Sequence, residues 1–382
     1  MASNPTEAAV LAMARAWSAD VGVTRSSSIT RIDRVGVPVA MAVRPGALPG
    51  SLVVTGGKGM TEAAAEIGAR LEAVELAAAE HNRCQAPLVR TTYRKVAAQF
   101  GGPGALVRLC PLLGVRIPLD EELTAAQGRG LCTDASVILP SELVLLPPPP
   151  NAASRPYFGS NSFGLGCGLT LEQATMHALL EVVERDALSF PPRAGEEWII
   201  DEHSLPTDRL RDIVARLHGA DVAVRLLAVK QELGLPVAHV VLSDRDETDQ
   251  RFVNGGHACA RSLEDALERA LLEALQSRVA FMHGGREDLP SLAEVATEPL
   301  GPGDGVSFSD VANQFRQAIP GDSVGLAQWL AERGVGPTVR FILRDGSTDG
   351  PWVVRVVIVG CESYVPRFSP RVGPRLAAWS HG

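Results

Sequence analysis

One helical phrase, repeated three times, constrains this 382-residue chain more than any other feature. It reads ARLEAVE at 69–75, ALLEVVE at 178–184 and ALLEALQ at 270–276. Each copy runs Ala, one residue, Leu-Glu, two apolar or small residues, then Glu, Glu or Gln. On a helix, positions three apart share a face, so each copy presents two polar side chains together. A single copy is an ordinary solvated face with an intrahelical pair such as Glu181–Arg185. Three copies, each after a turn or strand, indicate an internal structural repeat and favour a shared site.

Leu180 and Val183 fall partly on the carboxylate side, which sets Glu181 and Glu184 near the core rather than wholly in water. Carboxylates gathered in a half-buried place repel one another unless cations neutralise them. Mg²⁺ suits such a place, because it takes hard oxygen ligands together with phosphate oxygens. Arg185 and Arg269 are then placed to reach phosphate directly.

Composition removes several alternatives. A net charge of −8 without a long basic block argues against nucleic acid as a partner. No apolar run reaches the roughly 18 residues of a membrane span. The start, MASNPTEAAVLAMARAWSAD, reads as a short amphipathic helix and lacks the basic leader of a secretory signal. Six scattered cysteines with no CxxC pair fit a reduced cytoplasm better than structural zinc or a disulfide framework. The 46% hydrophobic content can bury one large core or two ordinary ones.

Residues 32–44 alternate as a strand, and 51–60 read as a second strand ending in a Gly-rich turn. A helix from about Thr61 to His81 follows, with Thr61 as its N-cap. Residues 84–146 mix short strands and helices. The run LLPPPPNAASRP (145–156) can continue neither helix nor central strand, and reads as an exposed connection between subdomains. A Gly-rich loop (159–169) leads to Thr170, which can cap the second repeat helix. Residues 221–244 read as paired strands, 262–282 as the third helix, and PTVRFILRD and PWVVRVVIVG as two closing strands. The uneven alternation gives an α+β fold with mixed sheets. GGKG (56–59) lacks the spacing of a phosphate-binding P-loop. His177, His239 and His257 are each read as packed or hydrogen-bonded histidines rather than bases.

At these residues the sequence resembles the YcaO family. The carrying segments are RIDRVGVPVAMAVRP (31–45), GGKGMTEAAAEIGARLEAVE (56–75), GLTLEQATMHALLEVVERDA (168–187) and ALERALLEALQSR (266–278). The resemblance implies a single domain over 1–382, with repeated ExxE/ExxQ helices around a central nucleotide site and ATP and Mg²⁺ as cofactors. Carried over by position, Glu72, Glu75, Glu181, Glu184 and Glu273 would hold the metal. Arg25, Arg185, Arg269 and Gln276 would join these glutamates in binding nucleotide. The implied chemistry is phosphorylation of a peptide backbone amide oxygen, which turns a very poor leaving group into a good one. The resemblance leaves the catalytic residue unassigned.

The pattern departs from the family in places. Asn-Gly is replaced by Phe163-Gly164, Gly-Asn-Thr by Gly168-Leu169-Thr170, an acidic residue by Gln173, and a small hydroxyl residue by Gly68. The tail YVPRFSPRVGPRL lacks a Pro-x-Pro-x-Pro ending, which implies a divergent stand-alone member without a fused leader-peptide-binding domain. The leading expectation is attack by an internal nucleophile, giving an azoline or, as in bottromycin-type members, a macrocyclic amidine. The second is thioamide formation with external sulfur and a TfuA-type partner, since RIDRVGVPVAMAVRP is nearest that subgroup. A third is a non-catalytic peptide-binding or partner-activating subunit. A precursor peptide is the expected substrate, and a homodimer is compatible with the chain.

Overall fold

The computed structural model describes residues 5–190, 197–244, 253–285, 305–348, 350–365 and 369–379. They form two compact units. The first contains Met1–Ala47, Leu52–Val74 and Pro192–Ala318, the second Leu48–Ser51, Glu75–Pro191 and Ile319–Gly382.

The first unit holds two antiparallel sheets. Strands Arg25–Ser28, Val39–Val43 and Val54–Lys58 pair in chain order, with Arg25 opposite Val43 and Val39 opposite Lys58. The second sheet runs Asn254–Cys259, Val237–Asp244, Val222–Val229, Glu197–Ile199. In Val237–Asp244 the residues Ala238, Val240 and Leu242 are buried while His239 and Val241 are less so, the period-two pattern of a strand with one face covered. That face packs on helices Asp208–Gly219 and Leu263–His283 through Leu226, Leu267, Leu271 and their neighbours. The far end of Leu263–His283 continues over the first sheet, where Val279 and Ala280 meet Ile29, Val39 and Met41. Arg278 is held there by Asp33 at 3.0 Å and Asp244 at 3.0 Å. Helix Glu7–Asp20 is tied to helix Glu62–Ala79 by a two-pronged Arg15–Glu66 pair at 2.8 and 2.9 Å.

The second unit is built on a six-stranded antiparallel sheet. Its order is Leu88–Thr92, Glu122–Gly130, Thr338–Arg344, Trp352–Ile358, Leu165–Gly168, with Ser136–Pro140 also pairing to Glu122–Gly130. Helix Leu171–Leu188 packs on this sheet. Val353, Val354, Arg355 and Val356 are buried in succession, so Trp352–Ile358 is covered on both faces.

The α+β expectation holds, as do the paired strands at 221–244 and the two closing strands. Three details differ. The strand expected over 32–44 is only Val39–Val43, after a short 3₁₀ turn at Thr30–Ile32. The glycines at 56–57 lie inside their strand rather than in a turn, and 165–168 is strand rather than loop. In both cases bare glycine lets a helix approach the sheet. The segment 145–156 has no helix or strand; it lies wholly within the second unit, with Leu145 fully buried. Among the described residues no helix is long and apolar enough to cross a membrane.

Candidate nucleotide and metal site

The threefold phrase corresponds to a threefold structural unit: strand, short connection, helix. The connections end on capping side chains. Thr61, Thr170 and Ser262 accept the N–H of Ala64, Gln173 and Asp265 at 3.0–3.1 Å. In each unit a strand glycine lies against the helix backbone, between an alanine carbonyl and the N–H four residues on. A Cβ on Gly57 would stand 2.1 Å from Ala65 O and 2.2 Å from Ala69 N. On Gly166 it would stand 2.3 Å from Ala174 O and 2.9 Å from Ala178 N, and on Gly256 2.2 Å from both Ala270 O and Ala274 N. No side chain fits such a gap, so only glycine allows it. The third contact lies one helical turn further along its phrase. Gly256 precedes its helix by seven residues, whereas Gly57 and Gly166 precede theirs by five.

The close approach brings carboxylates back to the strands. Within the first unit Glu72 Oε2 accepts the N–H of Gly56 at 2.7 Å. Lys58, from the same strand, sets its Nζ 3.0 Å from Glu273 Oε2. Thr55 Oγ1 donates to Ala69 O at 2.7 Å and seals the strand to the helix. Gly68, where the family pattern has a hydroxyl residue, has a packing reason. A Cβ there would stand 3.2 Å from Gly57 Cα.

Within the second unit Glu181 Oε2 accepts the N–H of Gly164 at 3.1 Å. Arg185 reaches Glu184 at 3.3 Å and Glu181 at 3.9 Å. Its guanidinium also lies over the Phe163 ring, 4.9 Å from the centroid, so the residue replacing the family's Asn here serves as a platform for the arginine. Glu184 is buried, whereas Glu181 and Arg185 are partly exposed. Arg355 is also buried, and it feels the charges of Glu181 and Glu75. Burial pulls its guanidinium down to about 9, against the opposing pull of those two carboxylates.

The site residues read from sequence are not equally placed. In the first unit Glu72 meets the Gly56 N–H and Glu273 meets Lys58; in the second Glu181 and Glu184 meet Arg185, and Glu75 bears on Arg355 through its charge. Gln276 follows Glu273 by three on the same helix face and is half-buried. Arg25 is exposed on the outer strand of its sheet, and Arg269 is exposed on the third helix. Neither pairs with a site carboxylate among the described residues. Lys58 and Arg355 were not anticipated. For Arg355 a signal existed, a lone charge inside the apolar run VVRVV. His239 and His257 stack at 4.4 Å, and His239 Nδ1 lies 3.2 Å from Glu197, so His239 is packed and hydrogen-bonded and His257 is packed, in line with the reading.

The donor set suits Mg²⁺. Among the described residues no three His, Cys, Asp or Glu side chains are arranged as a ready metal cage. Mg²⁺ needs none, since it is commonly held by one or two carboxylates together with substrate phosphates and water. The oxygen-only clusters supply those carboxylates, with arginine and lysine at hand for phosphate.

A family model described as YcaO cyclodehydratase, ATP- and Mg²⁺-binding, matches residues 56–360. The chain belongs to the YcaO family. It is thus an enzyme of the ATP-dependent peptide cyclodehydratase type, with ATP and Mg²⁺ as cofactors. A Methanothermobacter thermautotrophicus protein is 33% identical over 270 residues, spanning 70% of this chain and 68% of that one. A Rhizobium leguminosarum bv. trifolii protein, named for its place in the tfuA 3′ region, is 29% identical over 380 residues, or 94% and 88% of the two chains. YcaO from Methanopyrus kandleri, bound with AMPPCP and Mg²⁺, shares the fold at a TM-score of 0.66 and 23% identity, over 97% of this chain and 94% of that one. A heterocyclase in complex with substrate and cofactor gives 0.71 at 18% identity, over 99% of this chain and 56% of that one.

Proposed function

We propose that this YcaO chain activates a backbone amide of a ribosomally made precursor peptide by phosphorylating its oxygen at the expense of ATP. An internal nucleophile then adds to the activated carbon and phosphate departs, a net loss of water. A Cys, Ser or Thr side chain gives an azoline; a peptide amine gives a macrocyclic amidine. The observation that carries the reading is the recurrence, in a YcaO chain, of helix carboxylates that accept a glycine N–H at or just before the preceding strand, beside arginine and lysine.

In this reading Glu72, Glu75, Glu181, Glu184 and Glu273 supply the metal's carboxylate oxygens. Arg185 holds phosphate, and Arg25, Arg269 and Gln276 contribute to nucleotide binding. Bound Mg²⁺ would neutralise phosphate charge as it is transferred. The protein's part is to fix Glu181 through the Gly164 N–H and Glu72 through the Gly56 N–H, which limits the ways each carboxylate can turn.

A second reading, thioamide formation with external sulfur and a TfuA-type partner, is supported by the Rhizobium relative named for the tfuA region. Mass spectrometry of candidate peptides with enzyme, ATP and Mg²⁺ separates the two. Loss of water supports cyclodehydration, and replacement of oxygen by sulfur in the presence of a sulfur donor supports the second reading. Calorimetry with ATP and Mg²⁺ tests the common ground; absence of binding would overturn both.

A further inference from the structure

The second unit contains a cleft whose lining the proposed nucleotide residues do not account for. Arg108, Arg185, Arg355 and Arg371 border it, against a single carboxylate, Glu362. Glu362 is already engaged by the backbone N–H groups of Gly373, Arg375 and Leu376 at 2.6, 2.9 and 3.0 Å. Four arginines thus border the cleft with one carboxylate, and of these Arg185 is shared with Glu184 and Glu181.

Two of the arginines are structural props. Arg108 donates to Gly336 O at 2.9 Å, and Arg371 donates to Cys110 O and Leu109 O, both at 2.9 Å. Arg355 differs. Its Nε donates to Leu143 O at 3.0 Å and its Nη2 to Asn161 Oδ1 at 3.3 Å, but the buried Nη1 has no hydrogen-bond partner among the described residues. The residue is only 2% exposed. A buried guanidinium N–H left unpaired is costly, and a water or an anion beside it removes that cost. Asn161 and Ser363 add polar atoms to the same lining. Arg185 borders the cleft and also touches Glu184, so the cleft adjoins the carboxylate pair.

We infer that this cleft is a phosphoryl subsite in which Arg355, with Arg185, holds a tetrahedral phosphate. Charge-assisted N–H donors from several arginines match phosphate oxygens. The inference deepens the proposed function only in naming the source: the group held is the phosphoryl on its way from ATP to released phosphate. Holding it would position the activated oxygen without Arg355 taking part in bond making.

The test uses the full chain and inorganic phosphate alone, without nucleotide or peptide, followed by calorimetry. Saturable phosphate binding is expected in the wild type, weakened about tenfold or more in Arg355→Met and partly restored in Arg355→Lys. Because Arg355 is buried, Ser363→Glu is the companion variant, placing a carboxylate at the half-buried wall; it too should weaken phosphate about tenfold. Circular dichroism should show the same folded state in all four proteins, so that a loss of phosphate binding reads the cleft rather than unfolding. Undiminished phosphate binding in Arg355→Met and Ser363→Glu would overturn the inference, as would no binding to the wild type. Binding that needs ADP would place phosphate at the nucleotide's own γ position and also overturn it. Since this arm contains no nucleotide, failure of ATP binding would count against the proposed function and leave the phosphate result readable.

Discussion

Lys58 Nζ stands 3.0 Å from Glu273 Oε2, linking the strand before the first carboxylate helix to the carboxylate of the third. Both side chains are partly solvated, at 27% and 30% exposure, so the pair contributes only about 1 kcal/mol or less to stability. Its larger effect is on where Glu273 points. Lys58→Met is therefore expected to fold and melt almost as the wild type, while ATP turnover falls about tenfold. Phosphate release assays would read this. Unchanged turnover would remove Glu273 from the nucleotide set.

Glu184 is the buried member of its pair, beside Arg185 at 3.3 Å. Glu184→Gln keeps the shape and removes the charge, so circular dichroism should be unchanged. Turnover should fall about a thousandfold if this carboxylate holds the metal. Wild-type activity in the variant would reject the assignment.

Gly166→Ala is predicted to cost about 3 kcal/mol in urea unfolding, because its Cβ would stand 2.3 Å from Ala174 O. Gly104→Ala, in the same unit and with nothing within 4 Å, is the control and should change little. Equal stability of the two variants would show that the strand and helix separate at little expense.

Glu66 supplies a pH dependence. The Arg15 hydrogen bond, opposed by partial burial and assisted by Arg70, lowers its carboxyl to about 2 from the ordinary 4.5. A depressed native pKa stabilises above the unfolded value and loses that contribution as pH falls from about 4.5 towards 2. The urea midpoint of Glu66→Gln should therefore lie below that of the wild type at pH 7. The two should converge on acidification through that window. A gap that persists below it would mean that packing, rather than charge, distinguishes them.

Much of this was legible in the primary structure. The phrase at 69–75, 178–184 and 270–276 marked three helices; Thr61 and Thr170 marked where two begin, and the hydroxyls cap them as read. The paired strands at 221–244 and the two closing strands, PTVRFILRD and PWVVRVVIVG, were also legible, while the pairing of the closing strands with each other came from the fold. The sequence reading failed where glycine was taken as a turn signal. Gly57 and Gly166 are strand residues, chosen because a helix backbone passes over them. Nothing within a few residues of either glycine announces that approach.

The glutamates' identity, their three-residue spacing and their helical setting were determined by the sequence, because periodicity and capping act over one or two turns of chain. Tertiary structure decided which groups meet them. Gly56 for Glu72, Gly164 for Glu181 and Lys58 for Glu273 are partners 16, 17 and 215 residues away. Arg355 makes the same point most sharply. In the sequence it is a charge interrupting a valine strand. In the fold it is a buried cation whose Nη1 has no hydrogen-bond partner among the described residues, beside a cleft lined by residues far apart in the chain, from Arg108 to Arg371.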